Sequence, residues 1–84
     1  MQVEVEVSLY PLGAFATQGN PTHPVHDFLE IFQRSGCTVE TTPMSAVVTG
    51  ESSRVFEALR LGYEKAGETT GCVMFAKACN LCPL

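Results

Sequence analysis

Thr41-Thr42-Pro43-Met44-Ser45-Ala46-Val47-Val48-Thr49-Gly50 is the stretch on which the arrangement of the whole chain turns. Pro43 has no N–H for a sheet ladder and drives Thr42 toward extended backbone. From Met44 onward the side chains alternate. Met44, Ala46 and Val48 go to one side, and Ser45, Val47 and Thr49 to the other. The first side suits a core, while the second carries hydroxyls around a valine. The run reads as a central strand, with Pro43 marking where a preceding edge strand gives way to it.

Outward from that strand, Cys37 to Thr41 reads as the short edge strand. Gly50 with Glu51-Ser52-Ser53 opens a helix, the acid lying near the positive end of the helix dipole. Val55, Phe56, Leu59 and Tyr63 form its expected buried stripe, Arg54, Glu57, Arg60 and Glu64 its solvated face. Lys65 and Gly67 supply the stop. Upstream, Val25, Phe28, Leu29 and Phe32 fall at helical spacing. Pro24 is in the first turn, Thr22 or His23 is the cap, and Gly36 is the left-handed stop.

Residues 2 to 10 alternate cleanly, with Val3, Val5, Val7 and Leu9 facing a core and Glu4, Glu6, Ser8 and Tyr10 facing away. Residues 71 to 79 form a last strand. Cys72, Met74, Ala76 and Ala78 lie on one face and Val73, Phe75, Lys77 and Cys79 on the other. Lys77 must avoid the core, so its face joins that of Glu4 and Glu6, with which it is expected to pair. Leu12 to His23 is small and polar, punctuated by Gly13, Gly19, Asn20 and Pro21. It reads as a long loop, either a lid over a site or a simple insertion.

The order strand, helix, strand, strand, helix, strand predicts an α+β, ferredoxin-like βαββαβ domain over residues 1–84. Its four-stranded antiparallel sheet carries two helices on one face. The other face is then bare, with Tyr10, Ser45, Val47, Val73 and Phe75 on it. Apolar surface of that kind is expected to be covered, which predicts stacking of sheets in a homodimer or a dimer of dimers.

Composition narrows the function classes. Five Lys and Arg against nine Asp and Glu leave a formal charge of −4. That balance lacks the clustered positive charge that phosphate backbones require, so nucleic acid is excluded as a partner. At 45% hydrophobic and 17% charged the chain is a folding one. No run has the length of a membrane helix, and the valine–glutamate start is not a signal peptide. A cytoplasmic protein with reduced cysteines is expected.

The residues resemble the YkoF-like family of thiamine- and hydroxymethylpyrimidine-binding domains. The match lies in Val7-Ser8-Leu9-Tyr10-Pro11-Leu12, in Thr42 with Met44 to Gly50, in Val55-Phe56-Glu57-Ala58, and in Val73-Met74-Phe75 leading to Cys82-Pro83. The resemblance covers most of the chain apart from the Gly13 to His23 loop. It implies non-catalytic binding of thiamine or its pyrimidine moiety, in transport or salvage, with no cofactor beyond that ligand. Some members carry two such domains in tandem, a pair that a homodimer of this chain would recreate.

The residue chemistry agrees with that implication. Ser8, Thr42 and Ser45 offer hydroxyls that donate or accept, Tyr10 and Phe75 offer stacking surface, and Val47 offers a wall. These six are the candidate ligand-binding residues, expected to form a pocket on the open sheet face near the dimer interface. Two other classes compete. Cys79-Asn80-Leu81-Cys82 has the spacing of a thiol or metal pair, although no helix follows it to lower a thiol pKa, and no second knuckle completes four zinc ligands. A bare sheet face also fits a plain protein-interaction module. His23 and His26 read as capping and solvent-exposed, and no nucleophile elbow, phosphate loop or zinc-enzyme signature occurs. Neither enzyme chemistry nor a resident metal is expected.

Overall fold

A computed structural model describes residues 1–12, 23–68 and 71–80, with the side chains of His23 and Pro24 excepted. The elements are β1 (Gln2–Pro11), α1 (His23–Arg34), β2 (Thr38–Thr41), β3 (Ala46–Glu51), α2 (Ser52–Gly67) and β4 (Cys72–Cys79). The strands form one antiparallel sheet in the order β2-β3-β1-β4. This is the expected ferredoxin-like arrangement, with β1 and β3 at its centre and β2 and β4 at its edges. The Gly13 to Thr22 part of the predicted loop lies outside the described residues, as do Thr22 and Cys82.

One face of β1 (Val3, Val5, Val7 and Leu9) is buried. It joins Ala46 and Val48 of β3, Phe28 and Phe32 of α1, and Val55, Ala58, Leu59 and Ala66 of α2 in a single core cluster. Both helices therefore cover the same side of the sheet. Phe28 and Phe32 meet edge to face at 5.0 Å between ring centroids, a geometry aromatic rings favour. No polar or charged side chain among the described residues is buried.

The helix ends follow local chemistry. Gly36 adopts φ 80°, and the Cys37 N–H reaches the Phe32 carbonyl while the Gly36 N–H reaches that of Gln33. These are the two bonds of a Schellman stop. His23 already lies within α1, so Pro24 stands in its first turn as expected. Glu51 is the N-cap residue of α2 and makes no side-chain cap bond.

Four expectations need correction. Met44 is not a core residue: it is 85% exposed, because β3 begins only at Ala46 and Pro43-Met44 form a hairpin turn. The edge strand starts at Thr38 rather than Cys37, which is held by the helix stop. The buried face of α2 is Val55, Ala58, Leu59, Gly62 and Ala66, while Phe56 and Tyr63 are 47% and 42% exposed. Small residues win that face because α1 lies so close: a Cβ on Gly62 would sit 2.6 Å from Cδ1 of Phe28. Finally, Gly67 is the last residue inside α2, and the C-cap Glu68 is right-handed at φ −67°.

Candidate ligand-binding site

The β2–β3 hairpin is closed by side-chain as well as main-chain bonds. The Thr42 N–H donates to the Ser45 carbonyl at 2.8 Å. The Ser45 N–H donates to Thr42 Oγ1 at 2.9 Å, and the Met44 N–H to the same oxygen at 3.3 Å. The threonine hydroxyl thus takes the place a turn carbonyl usually holds, a local device typical of Ser and Thr.

From the hairpin a chain of polar contacts runs onto the open sheet face. Ser45 Oγ donates to Glu6 Oε2 at 3.0 Å, and Lys77 Nζ lies 3.2 Å from Glu6 Oε1. An ionised carboxylate only accepts, so the Ser45 proton goes to Glu6. Thr42 Oγ1 has one proton, with the Ser45 hydroxyl oxygen at 2.9 Å and the Ser45 carbonyl at 3.1 Å as its acceptors. The hydrogen bond from Lys77, then that from Ser45, holds the Glu6 carboxyl below the usual glutamate range. Ser8 Oγ donates to the Met44 carbonyl at 3.3 Å. The predicted hydroxyls are therefore engaged within the protein itself, and Lys77 pairs with Glu6 as its register opposite that residue requires.

The six candidate residues divide between two surfaces. Ser8, Tyr10, Val47 and Phe75 occupy the open face. Ser8 is opposite Phe75, and the Tyr10 and Phe75 rings meet edge to face at 6.1 Å. Phe75 is 66% exposed. Thr42 and Ser45, at the end of the sheet, also border a cleft of about 200 Å³ on the helix side. Among the described residues, Val7 and Leu9 of β1 and Val25, Phe28 and Leu29 of α1 form its apolar walls. Thr41, Thr42, Pro43, Ser45 and Ala46 line the remaining side.

Thr41 escaped the sequence reading. Its signal was available: it stands two residues after Val39 and opposite Ala46, so it shares the helix-side face of both. The cleft is bounded by the two elements, β1 and α1, that the long loop joins.

Of the Cys79 and Cys82 pair the structure describes only Cys79. Cys72 and Cys79 lie in register with Pro11 and Glu4, an odd number of residues apart and so on opposite faces. Burial pushes the Cys37 and Cys72 thiols up, away from thiolate. His26, Asp27 and Glu30 bring ligand atoms within 4.8 Å of one another on α1, but Arg34 already holds Glu30 at 2.5 Å. No helix among the described residues is long and apolar enough to cross a membrane.

No protein-family model matches the chain, and no curated protein matches it in sequence. Solved structures do match its fold. A hypothetical protein from Methanocaldococcus jannaschii superposes with a TM-score of 0.85 at 23% identity, over 99% of this chain and 84% of that one. The domain of unknown function DUF77 from Bacillus cereus gives 0.79 at 17% identity, over 94% and 75% of the two chains. A Thermotoga maritima protein provisionally assigned to thiamine biosynthesis or salvage gives 0.78 at 15% identity, over 93% and 82%. At such identities the likeness is one of fold. The chain has the frame shared by these proteins.

Proposed function

We propose that this protein binds thiamine, or the hydroxymethylpyrimidine half of it, without chemistry, in transport or salvage of the vitamin. The observation that carries the reading is the cleft beside the hairpin, with apolar walls and hydroxyls on one side. Ligand sites are typically apolar with a few placed polar groups. A dry cavity of about 150 Å³ accepts a benzene ring, so about 200 Å³ suits one substituted ring and not two. The pyrimidine would lie between the Phe28 side of α1 and the Val7 and Leu9 side of β1. The Thr41 hydroxyl would meet its amine or ring nitrogens, and the thiazolium half would remain outside. The fold shared with the Thermotoga protein supports the same ligand class.

Isothermal titration with thiamine and with hydroxymethylpyrimidine tests the proposal. Heat with both, and an affinity for the pyrimidine alone close to that for thiamine, is the expected result. Thr41→Val should weaken binding by about 1–3 kcal/mol, since it leaves a buried ligand amine unpaired. Absence of heat with either compound, for a folded protein, removes the function.

A further inference from the structure

Among the described residues no strand pairs with the outer edge of β4, and that edge has the properties of an interface independent of the ligand reading. Hydrogen-bond parity fixes what that edge offers. The Leu12 N–H donates to the Gly71 carbonyl at 2.7 Å, and this pair continues the β1–β4 register. Hydrogen-bonded pairs alternate along an antiparallel ladder. The odd-numbered residues 73, 75, 77 and 79 therefore bond inward to β1, and the N–H and C=O groups of Cys72, Met74, Ala76 and Ala78 point outward. The β1–β3 ladder keeps the same parity, since the Ser52 N–H donates to the Met1 carbonyl at 2.8 Å. So does the β2–β3 ladder, at Thr42 and Ser45.

Edge strands are normally blunted by shortness, charge, proline or bulges. The other edge, β2, is four residues long and ends beside Pro43. β4 is eight residues long, contains no proline or glycine, and carries Lys77 as its one charge. One aromatic of α2 reaches the same edge. Tyr63 reaches the outward carbonyl of Cys72 at 3.4 Å. Phe56, two turns before it on the same flank, is half exposed.

We propose that β4 pairs antiparallel with β4 of a second copy of this chain about a two-fold axis at Phe75, giving a continuous eight-stranded sheet. The strand is self-complementary in that register. Cys72 and Met74 would exchange bonds with Ala78 and Ala76 of the second copy, which uses every outward group, each hydrogen-bonded pair exchanging two. On the helix side the larger Met74 faces the small Ala76. On the open face Phe75 meets Phe75 in a non-hydrogen-bonded pair, where side chains approach closest, extending the Tyr10–Phe75 row across the axis. Each Lys77 faces Val73 and stays with its own Glu6. A slip of two residues would set the charged Lys77 against Phe75, and a slip of four would set Lys77 against Lys77, which like charge disfavours. The contact is isologous and closes at two copies.

Sedimentation velocity and amide hydrogen exchange on the full chain test this. The wild type should sediment as a dimer, with the even-numbered amides of Met74, Ala76 and Ala78 protected as well as the odd ones. Ala76→Pro removes an outward N–H and no internal ladder bond, and should give a monomer with unchanged circular dichroism. Val47→Lys, on the open face of β3, should remain a dimer, whereas dimers made by stacking open faces would lose it. A monomeric wild type, freely exchanging even-numbered amides, or dimerisation that survives Ala76→Pro and fails with Val47→Lys would each overturn the proposal. A monomer with protected even-numbered amides would do the same, since its own chain would then cover the edge. If Ala76→Pro does not fold, the exchange pattern of the wild type decides.

Discussion

Gly62→Ala should destabilise this protein, against the usual rule for helix interiors. In an unconstrained helix, replacing glycine by alanine gains about 1 kcal/mol. Here the new Cβ would lie 2.6 Å from Cδ1 and 2.9 Å from Cε1 of Phe28. Neither atom is the loose end of a flexible chain. Phe28 is buried and backed edge to face by Phe32, which is itself fully buried. Relief therefore needs a shift of the helices or an off-rotamer ring, at a typical cost of about 1–3 kcal/mol for overpacking. A contact this short belongs in the upper half of that range, so the net loss is about 1–2 kcal/mol. For a domain of this size each kcal/mol lowers Tm by about 4–8 °C. Urea unfolding followed by circular dichroism measures it, with an unchanged m-value expected. Pairing the change with Phe28→Leu should recover part of the loss relative to Phe28→Leu alone. A Gly62→Ala protein as stable as the wild type, or more so, would refute the close helix approach on which the argument rests.

Other residues give further tests. Gly36→Ala puts a side chain at φ 80° and 3.0 Å from Nη1 of Arg54, and should cost about 1–2 kcal/mol by thermal unfolding. Thr42→Val removes the acceptor for the Ser45 and Met44 amides. It should cost about 0.5–1.5 kcal/mol and speed exchange of both amides, while Thr42→Ser should keep them protected. Glu6 has a carboxyl held below the unfolded value, so the stability it contributes is present above that unfolded value. That stability is lost as pH falls through the lowered folded one. An NMR titration should show its midpoint rise in Lys77→Ala and in Ser45→Ala, with the larger rise for Lys77. An unmoved midpoint in both variants would mean that neither contact persists in solution.

The strands were legible because their information is local. Alternation in β1 and β4 sets inside against outside one residue at a time, and Pro43 marks the hairpin. The buried face of α2 was misread because size and hydrophobicity favoured Phe56 and Tyr63, whereas the helix turns its small residues to α1. How close two helices come is a tertiary quantity, and only the neighbour at Gly62 reveals it. The cleft was illegible for the same reason: its walls come from β1, α1 and the hairpin, which meet only after folding. Ser8, Tyr10, Val47 and Phe75 were correctly placed together on the open face, whereas the hydrogen-bonded turn joining Thr42 and Ser45 was not read from the sequence.

The Thr42–Ser45–Glu6–Lys77 chain has a mechanical consequence. Thr42 borders the cleft on the helix side, and Lys77 belongs to the edge strand on the opposite side of the sheet. Between them the Ser45 proton is directed to Glu6, while the Thr42 proton lies within reach of both the Ser45 carbonyl at 3.1 Å and Ser45 Oγ at 2.9 Å. Polar contacts thus tie the β2–β3 hairpin to β1 at Glu6 and, through Glu6, to β4 at Lys77, bracing one end of the hairpin against the far edge of the sheet.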